Sequence, residues 1–412
     1  MNKSEIKICQ NCKASFEINA SDFEFYAKIK VPPPTWCPEC RMVRRFLFRG
    51  WRKLYKRKTE GYDADVYSKY SLDTNLKIYH ESYYVSDNWD AAEYGREYDF
   101  SRPFFAQFAD LFRAVPKPHR DSIGEMTGSD YCDNAGFLKN CYLVFNTGLS
   151  ENCMYGTDID GSRDCADVAR VKNCELCYDL FDAESCYRVN FSAECVQCSD
   201  VWFSKNLVGC DNCVGCVGLR NKQYYIFNEP HTKKEYFKKI KEFNFSSFKN
   251  VSQSRKDASI FTLRFPARFM RGYQYVNATG DYIYHSKNVR NSFNVANMEN
   301  CAYCQLALFG KTTDSMDVAV AGGDLLYEGM VSAGTRVLFG LNNFAKDLKN
   351  LNLSELQYCA QCRSCHNLFA CVGLRNKQYC ILNKQYTKEE YEKLVPQIIE
   401  HMNIMPYIDK KG

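Results

Sequence analysis

Between Ser129 and Leu219 every third residue is small or apolar, for 31 consecutive positions, and 12 of these are cysteine. The line starts Ser129, Cys132, Ala135, Leu138, Cys141, Val144 and runs on through Cys153, Cys165, Cys174, Cys177, Cys186, Cys195, Cys198, Cys210, Cys213 and Cys216. No charge, amide or aromatic ring interrupts it. A helix would repeat near 3.6 residues and a flat strand at 2. A strict period of three predicts a chain that turns a corner every third residue and points one side chain inward each time. The expected fold is mainly β: narrow β-solenoid (β-helix) arms in which stacked coils leave an axis wide enough only for small side chains.

Cysteines 141, 153, 165 and 177 lie 12 apart, whereas 132, 153, 174, 195 and 216 lie 21 apart. Both intervals keep the inward register. A 12-residue coil gives the tighter tube and is favoured over 21, or over alternating 12 and 9. The pattern then repeats. KNCYLVFNTGLSENC (139–153) matches KNVRNSFNVANMENC (287–301), and CVGLRNKQY occurs at both 216–224 and 371–379. The offset between copies grows from 148 to 155, so the second arm carries about seven extra residues in an irregular stretch within 311–352. After each CVGLRNKQY, Thr232 with Glu235 and Thr387 with Glu390 fit capping-box spacing before a helix. An open solenoid end exposes unpaired strand edges, so these strand–helix elements read as caps; the other reading is a ligand site on Arg220, Asn221, Arg375 and Asn376.

The arrangement expected from these patterns has six parts: a zinc ribbon with a basic extension (1–58), an acidic, aromatic-rich linking segment (59–125), the first capped arm (126–245), a basic linker (246–282), the second capped arm (283–400) and a tail (401–412). The zinc assignment comes from Cys9-x2-Cys12 and Cys37-x2-Cys40, separated by 24 residues. Two such knuckles suit one structural Zn²⁺, and four thiolates leave no position open for hydrolytic chemistry. The N-terminus has no signal-peptide core, and no apolar run reaches the roughly 18 residues of a membrane helix. The expected compartment is therefore the cytosol, where the remaining thiols of the 23 cysteines stay reduced. Reduced cysteine packs as a small hydrophobe. The alternative is a thiol-based metal or redox protein using pairs such as Cys174/Cys177, Cys195/Cys198, Cys213/Cys216 and Cys301/Cys304. Cys362-x-x-Cys365-His366 also has the form of a haem attachment motif, but both cysteines already belong to the inward line.

The stretch ICQNCKASFEINASDFEFYAKIKVPPPTWCPECRMVRR resembles a family of bacterial zinc-ribbon (treble-clef-like) proteins of uncharacterised activity that join such ribbons to Asn-Cys-rich repeats. The resemblance implies Cys9, Cys12, Cys37 and Cys40 as the ligands. Two departures stand out. Lys13 replaces the usual glycine after the first knuckle, and the 59–84 region holds no cysteine for a second ribbon. The resemblance supplies no activity.

Residues 41–58 hold nine Lys or Arg and no acid. On one helical face Arg41, Arg45, Arg49, Arg52 and Lys56 would align, with Trp51 and other rings interleaved, a surface suited to phosphates and stacked bases. Nucleic acid or a ribonucleoprotein is the partner this implies. The competing reading is internal, because residues 60–100 carry ten acids against three bases and could fold back. The first arm is acidic, with fourteen acids against six bases over 129–219, so like-charge repulsion opposes nucleic acid there. Its outward rings, among them Tyr142, Phe181, Phe191 and Trp202, are expected to pack on the other arm or on 60–125, or to bind a protein partner. No catalytic triad, metalloprotease helix or phosphate loop is present. Asp158, Asp160, Asp164 and Asp167 cluster as in glycan-cleaving β-helices, but a loop or solvated face explains them more simply. The function read from the sequence is a non-enzymatic zinc-binding scaffold. The abrupt end at Asp409–Gly412 raises the expectation of a longer parent chain.

Overall fold

The triplet pattern builds a β-solenoid. The computed structural model describes residues 4–48, 53–307, 311–319, 323–324, 327, 329, 335–337, 340–341 and 354–408. In the first arm, parallel rungs stack 12 residues apart. Tyr142 pairs with Met154, Met154 with Ala166, Ala166 with Tyr178 and Tyr178 with Asn190. The ladder continues through Trp202 and Val214 to Ile226. Each coil is therefore four triplets, and the 21-residue alternative does not occur in this arm. The twelve cysteines of the inward line are at most 2% exposed.

One residue in each triplet turns the corner. From Asn134 to Gly218 the residue before each inward position of the first arm lies in the left-handed region, as in Asn140 at φ 54°, Leu143 at 51°, Asn146 at 54°, Leu149 at 55° and Asn152 at 53°. That conformation costs most L-residues about 1–2 kcal/mol and is easiest for Gly, Asn and Asp. Stacking offsets the cost. Asn140 Nδ2 donates to Asn152 Oδ1 at 3.2 Å, and Asn152 Nδ2 to Asp164 Oδ1 at 2.9 Å. Asn134 likewise donates to Asn146 at 2.7 Å.

Inward polar groups are satisfied by the backbone. Ser162 Oγ donates to the Asp160 carbonyl and accepts the Cys174 N–H of the next coil at 3.1 Å. Ser204 does the same with Trp202 and Cys216. The Cys165 thiol points back to the Arg163 carbonyl at 3.2 Å. Serine and cysteine are thus interchangeable fillers of the same axis.

The second arm starts with the same 12-residue step, Val289 pairing with Cys301. It then departs. Met298 pairs with Thr312, a step of 14 residues, and Thr312 with Gly323, a step of 11. Thr335 pairs with Ser354, a step of 19, which is seven more than a standard coil. The 12-residue step returns from Ser354 to His366 and from His366 to Gln378. Most of the inserted residues lie outside those described.

Ahead of the arms, β1 (Glu5–Ile8) and β2 (Ser15–Ile18) form a hairpin, followed by α1 (Ala20–Lys28) and α2 (Pro38–Phe46). A second hairpin, β3 (Tyr55–Lys58) with β4 (Asp65–Ser68), crosses the expected boundary between 58 and 59. The basic side is then partly neutralised by the acidic one, with Lys56 3.3 Å from Asp65 and Lys58 3.3 Å from Asp63. The linking segment then divides: residues from Ser122 already pair with the first rung of the first arm, ahead of the expected boundary at 126, whereas the middle of the segment folds onto the second arm. Tyr84, at the end of α3 (Glu81–Tyr84), shares a core with Trp89, Phe104 and Leu111 of α4 (Phe104–Ala114), and with Leu368, Phe369 and Val372. Phe104 meets the Phe369 ring edge-on at 5.4 Å.

Both arms end alike. The last parallel strand turns back as an antiparallel pair, Tyr225 with Pro230 and Cys380 with Gln385. A helix follows: α5 (Lys233–Phe243), then α6 (Phe248–Thr262), on the first arm, and α7 (Lys388–Ile404) on the second. The capping boxes form, with Glu235 N–H donating to Thr232 Oγ1 at 3.3 Å and Glu390 N–H to Thr387 Oγ1 at 3.2 Å. Tyr236 is buried against the first arm's end, and Ile398 in the second arm's core. Ala258 of α6 packs with Phe203, so part of the expected basic linker belongs to the first cap, while α7 runs past residue 400. The outward rings divide. Phe181 meets Tyr282 of the other arm at 6.1 Å, Trp202 stacks on Phe245 of the cap at 4.5 Å, and Tyr142 and Tyr178 stay exposed.

The narrow axis gives a test. Val201 lies on it, fully buried. Val201→Phe should overpack the tube and destabilise the fold by about 1–3 kcal/mol or more. Val201→Cys, which keeps to residues already on the line, should cost less than about 1.5 kcal/mol. Urea-unfolding midpoints of the two variants provide the comparison.

Candidate metal centre and its anchorage

The β1–β2 hairpin carries Cys9 and Cys12 in its turn. Cys9 N–H donates to the Ala14 carbonyl at 2.9 Å and Lys13 N–H to the Cys9 carbonyl at 3.0 Å, which curls the chain around the two sulfurs. Lys13 sits at φ 63°, where glycine is easiest, and its Nζ reaches the Gln10 carbonyl at 2.8 Å. The departure from glycine is thus accommodated by a strained but hydrogen-bonded lysine. The second pair comes from α2. Cys37 is its N-cap, Pro38 occupies the first turn, and Cys40 follows within that turn. A helix N-terminus favours negative charge, and so favours thiolates.

The four sulfur atoms lie within 4.8 Å of one another, in the spacing of a single four-thiolate site. Cys12 and Cys37 Sγ are 3.8 Å apart. The outer contacts fit ligand roles, because Cys37 N–H donates to Cys9 Sγ at 3.3 Å and Asn11 Nδ2 to Cys40 Sγ at 3.3 Å. Burial raises the Cys9 pKa, but N–H groups of Cys37, Cys12 and Asn11 overcome it and bring the thiol down to about 6. Burial pushes Cys37 the other way, reinforced by its thiol neighbours. At Cys12 the Ala14 N–H favours the thiolate, but the Cys40 and Cys9 sulfurs outweigh it and raise the pKa. One thiolate therefore forms readily and opposes the next. A cation at the centre removes that opposition, so the donor set fits a thiophilic metal ion.

No other group of three or more metal-ligating side chains converges in this way among the described residues. Cys362 and Cys365 are buried on the second arm's axis, which places the haem-like motif in packing. Asp158, Asp164 and Asp167 occupy left-handed corners, and Asp158 and Asp164 accept from Asn146 and Asn152 of the coil before. These carboxylates belong to the corner ladder.

Among the described residues the expected basic helical face does not form. Arg41 and Arg45 are each 1% exposed and converge on Asp317 of the second arm. Arg41 Nε lies 2.9 Å from Asp317 Oδ2 and Arg45 Nη1 3.1 Å from Asp317 Oδ1, while Arg45 Nη2 donates to Gln305 Oε1 at 2.9 Å. Burial works against the Arg41 charge, yet the Asp317 carboxylate raises its pKa overall. The helix ends at Phe46, and Lys56 lies on β3, paired with Asp65. Arg49, Trp51 and Arg52 lie outside the described residues. Arg41 and Arg45 are therefore unavailable to phosphates, since both guanidiniums are spent inside the protein.

Asp317 and Gln305 were invisible as partners in the sequence. The i, i+4 spacing of Arg41 and Arg45 fits a buried anchor as well as a solvated face. A second buried contact supports the dock: Asp22 of α1 pairs with Arg290 and accepts from Tyr303 OH at 3.1 Å. Ile18, Phe25, Tyr26 and Ile29 close the interface against Ala302, Tyr303 and Met316. No protein-family model and no curated protein matches this chain.

Removing one partner of a buried ion pair typically costs about 3–5 kcal/mol. Asp317→Ala should destabilise the protein by this order and loosen the N-terminal unit. The expected result is a lower denaturation midpoint with faster tryptic cleavage near Arg41, a site that is buried in the intact chain.

Proposed function

We propose that this protein is a non-enzymatic binding scaffold whose N-terminal zinc-ribbon unit holds one structural Zn²⁺ through Cys9, Cys12, Cys37 and Cys40. The convergence of four sulfurs within 4.8 Å carries the reading. Four thiolates satisfy tetrahedral zinc completely, so the ion would shape the ribbon and leave no coordination position for a reacting water. The role is to fix α2, and with it the two arginines that lock the ribbon to the second arm. The nineteen other cysteines act as reduced filler in the solenoid axes, which is consistent with a reducing compartment such as the cytosol. The interchange of Cys with Val, Ser and Leu along the line supports packing over redox chemistry, since a ligand position could not be filled by valine.

Burial of Arg41 and Arg45 removes two of the six residues read as a nucleic-acid face and supports a surface on the arms instead. Protein partners are the class the reading favours. Protein purified without oxygen should contain one zinc per chain by elemental analysis, and all 23 thiols should titrate once unfolding has released the ion with its four ligands. Two or more metal ions per chain, or visible charge-transfer absorption, would move the assignment to a thiol-based metal protein. Cys9→Ser with Cys12→Ser should abolish the bound metal while leaving the β-rich circular dichroism of the arms.

A further inference from the structure

The two CVGLRNKQY segments have the same sequence and different surroundings. In the second arm, Arg375 clamps the chain that follows α3: its guanidinium donates to the carbonyls of Val85 and Ser86 at 2.8 Å each and of Trp89 at 3.0 Å. Asn383 holds Val372 through both its N–H and its carbonyl, and its amide also donates to the Ala91 carbonyl at 2.9 Å. Acidic side chains of the bound segment answer nearby lysines, Asp90 lying 3.5 Å from Lys377 and Glu97 pairing with Lys384. Gly373 is covered, and a Cβ there would meet Val115 at 3.2 Å.

The first arm repeats this apparatus, and no segment among the described residues occupies it. Asn228 brackets Val217 as Asn383 brackets Val372, donating to its carbonyl at 2.9 Å and accepting its N–H at 2.8 Å, but it makes no third bond among the described residues. Gly218 has nothing within 4 Å of a Cβ built on it. Arg220 is exposed and, among the described residues, reaches only its own arm, the Asn206 carbonyl at 2.6 Å, the Leu219 carbonyl at 2.9 Å and Asn206 Oδ1 at 2.9 Å. Arg268 donates to the same Asn206 Oδ1 at 2.8 Å. Two guanidiniums thus meet on one neutral oxygen, with no carboxylate within ion-pair distance of either among the described residues. Lys222, the counterpart of Lys377, is exposed and has no ion pair there either.

We infer that the Gly218–Asn228 face of the first arm is a docking site for a partner protein segment shaped like the one the second arm already holds: a tight turn offering converging backbone carbonyls, with acidic side chains on either side. The identical nonapeptide supplies the template. The converging cations supply the charge complementarity, and the spare Asn228 amide supplies a donor. This deepens the scaffold reading by giving one of its surfaces an occupant, and the metal count tests that reading separately.

The probe is a synthetic peptide of residues 81–97, titrated by calorimetry into the full chain. The second arm's copy of the site is filled within the chain by a tethered segment at high effective concentration, so free peptide reports the first arm. Saturable binding at one peptide per chain is expected, weakened at least tenfold by Arg220→Ala and also by Lys222→Glu, with unchanged thermal melting because both side chains are exposed. Lower affinity at higher salt is expected as well. Three results would overturn the proposal: no saturable binding, binding indifferent to Arg220→Ala, or a concentration-dependent dimer of the chain that Arg220→Ala dissolves, which would give the face to a second copy.

Discussion

A left-handed corner at every third residue is the constraint from which the rest of this structure follows. Four such corners close a coil in 12 residues, and the enclosed axis is then too narrow for rings or charges. Cysteine, serine, valine and alanine fill it because they are small, and serine is tolerated because its hydroxyl joins one coil's carbonyl to the next coil's amide. The corners select Asn, Asp and Gly because other residues resist a positive φ. Where Leu143 or Phe191 takes a corner, its neighbours on both sides impose the conformation. Asparagine and cysteine therefore abound here for one geometric reason, seen from outside and inside the same tube.

The duplicated arms share this interior and differ in what covers them. The first is capped by α5 and α6 and leaves much of its flank to solvent. The second is capped by α7, sheathed by the segment that includes α3 and α4, and docked against the N-terminal unit. Its irregular coils fall where the N-terminal unit attaches: Met316 and Asp317 belong to the stretch reached by the 14-residue step. Departure from the 12-residue rule thus coincides with the site that carries a buried charge, as expected where a fold trades regularity for a specific contact.

The axis was legible in the sequence because nearly every residue on it is buried, and a long period-three line of small and apolar residues fits neither an α-helix nor a flat strand. The knuckle cysteines were legible because ligand spacing is short-range chemistry. The corners were present just as plainly, in the Asn–Cys and Asp–Cys dipeptides, but a polar residue beside a cysteine looks like ordinary surface until its φ is known. Arg41 and Arg45 misled for a physical reason. A cationic stripe at helical spacing has the same pattern whether it faces phosphate or a carboxylate on a distant coil. Asp317, which decides between them, lies 272 residues beyond Arg45 in a stretch where the triplet line slips. The sheath on the second arm was equally hidden, because the nonapeptide that binds it is the same in both arms.

Helix α2 carries Cys37 and Cys40 at one end and Arg41 and Arg45 one turn on. Its orientation is therefore common property of the thiolate cluster and of the second arm. An ion seated among the sulfurs would preorganise the guanidiniums, and Asp317 would in turn preorganise the sulfurs, each stabilising the other by the same free energy. The affinity of a site near residue 37 is in part set by a carboxylate encoded in the last quarter of the chain, and the N-terminal unit cut away from the arms would be a weaker chelator than its four ligands suggest.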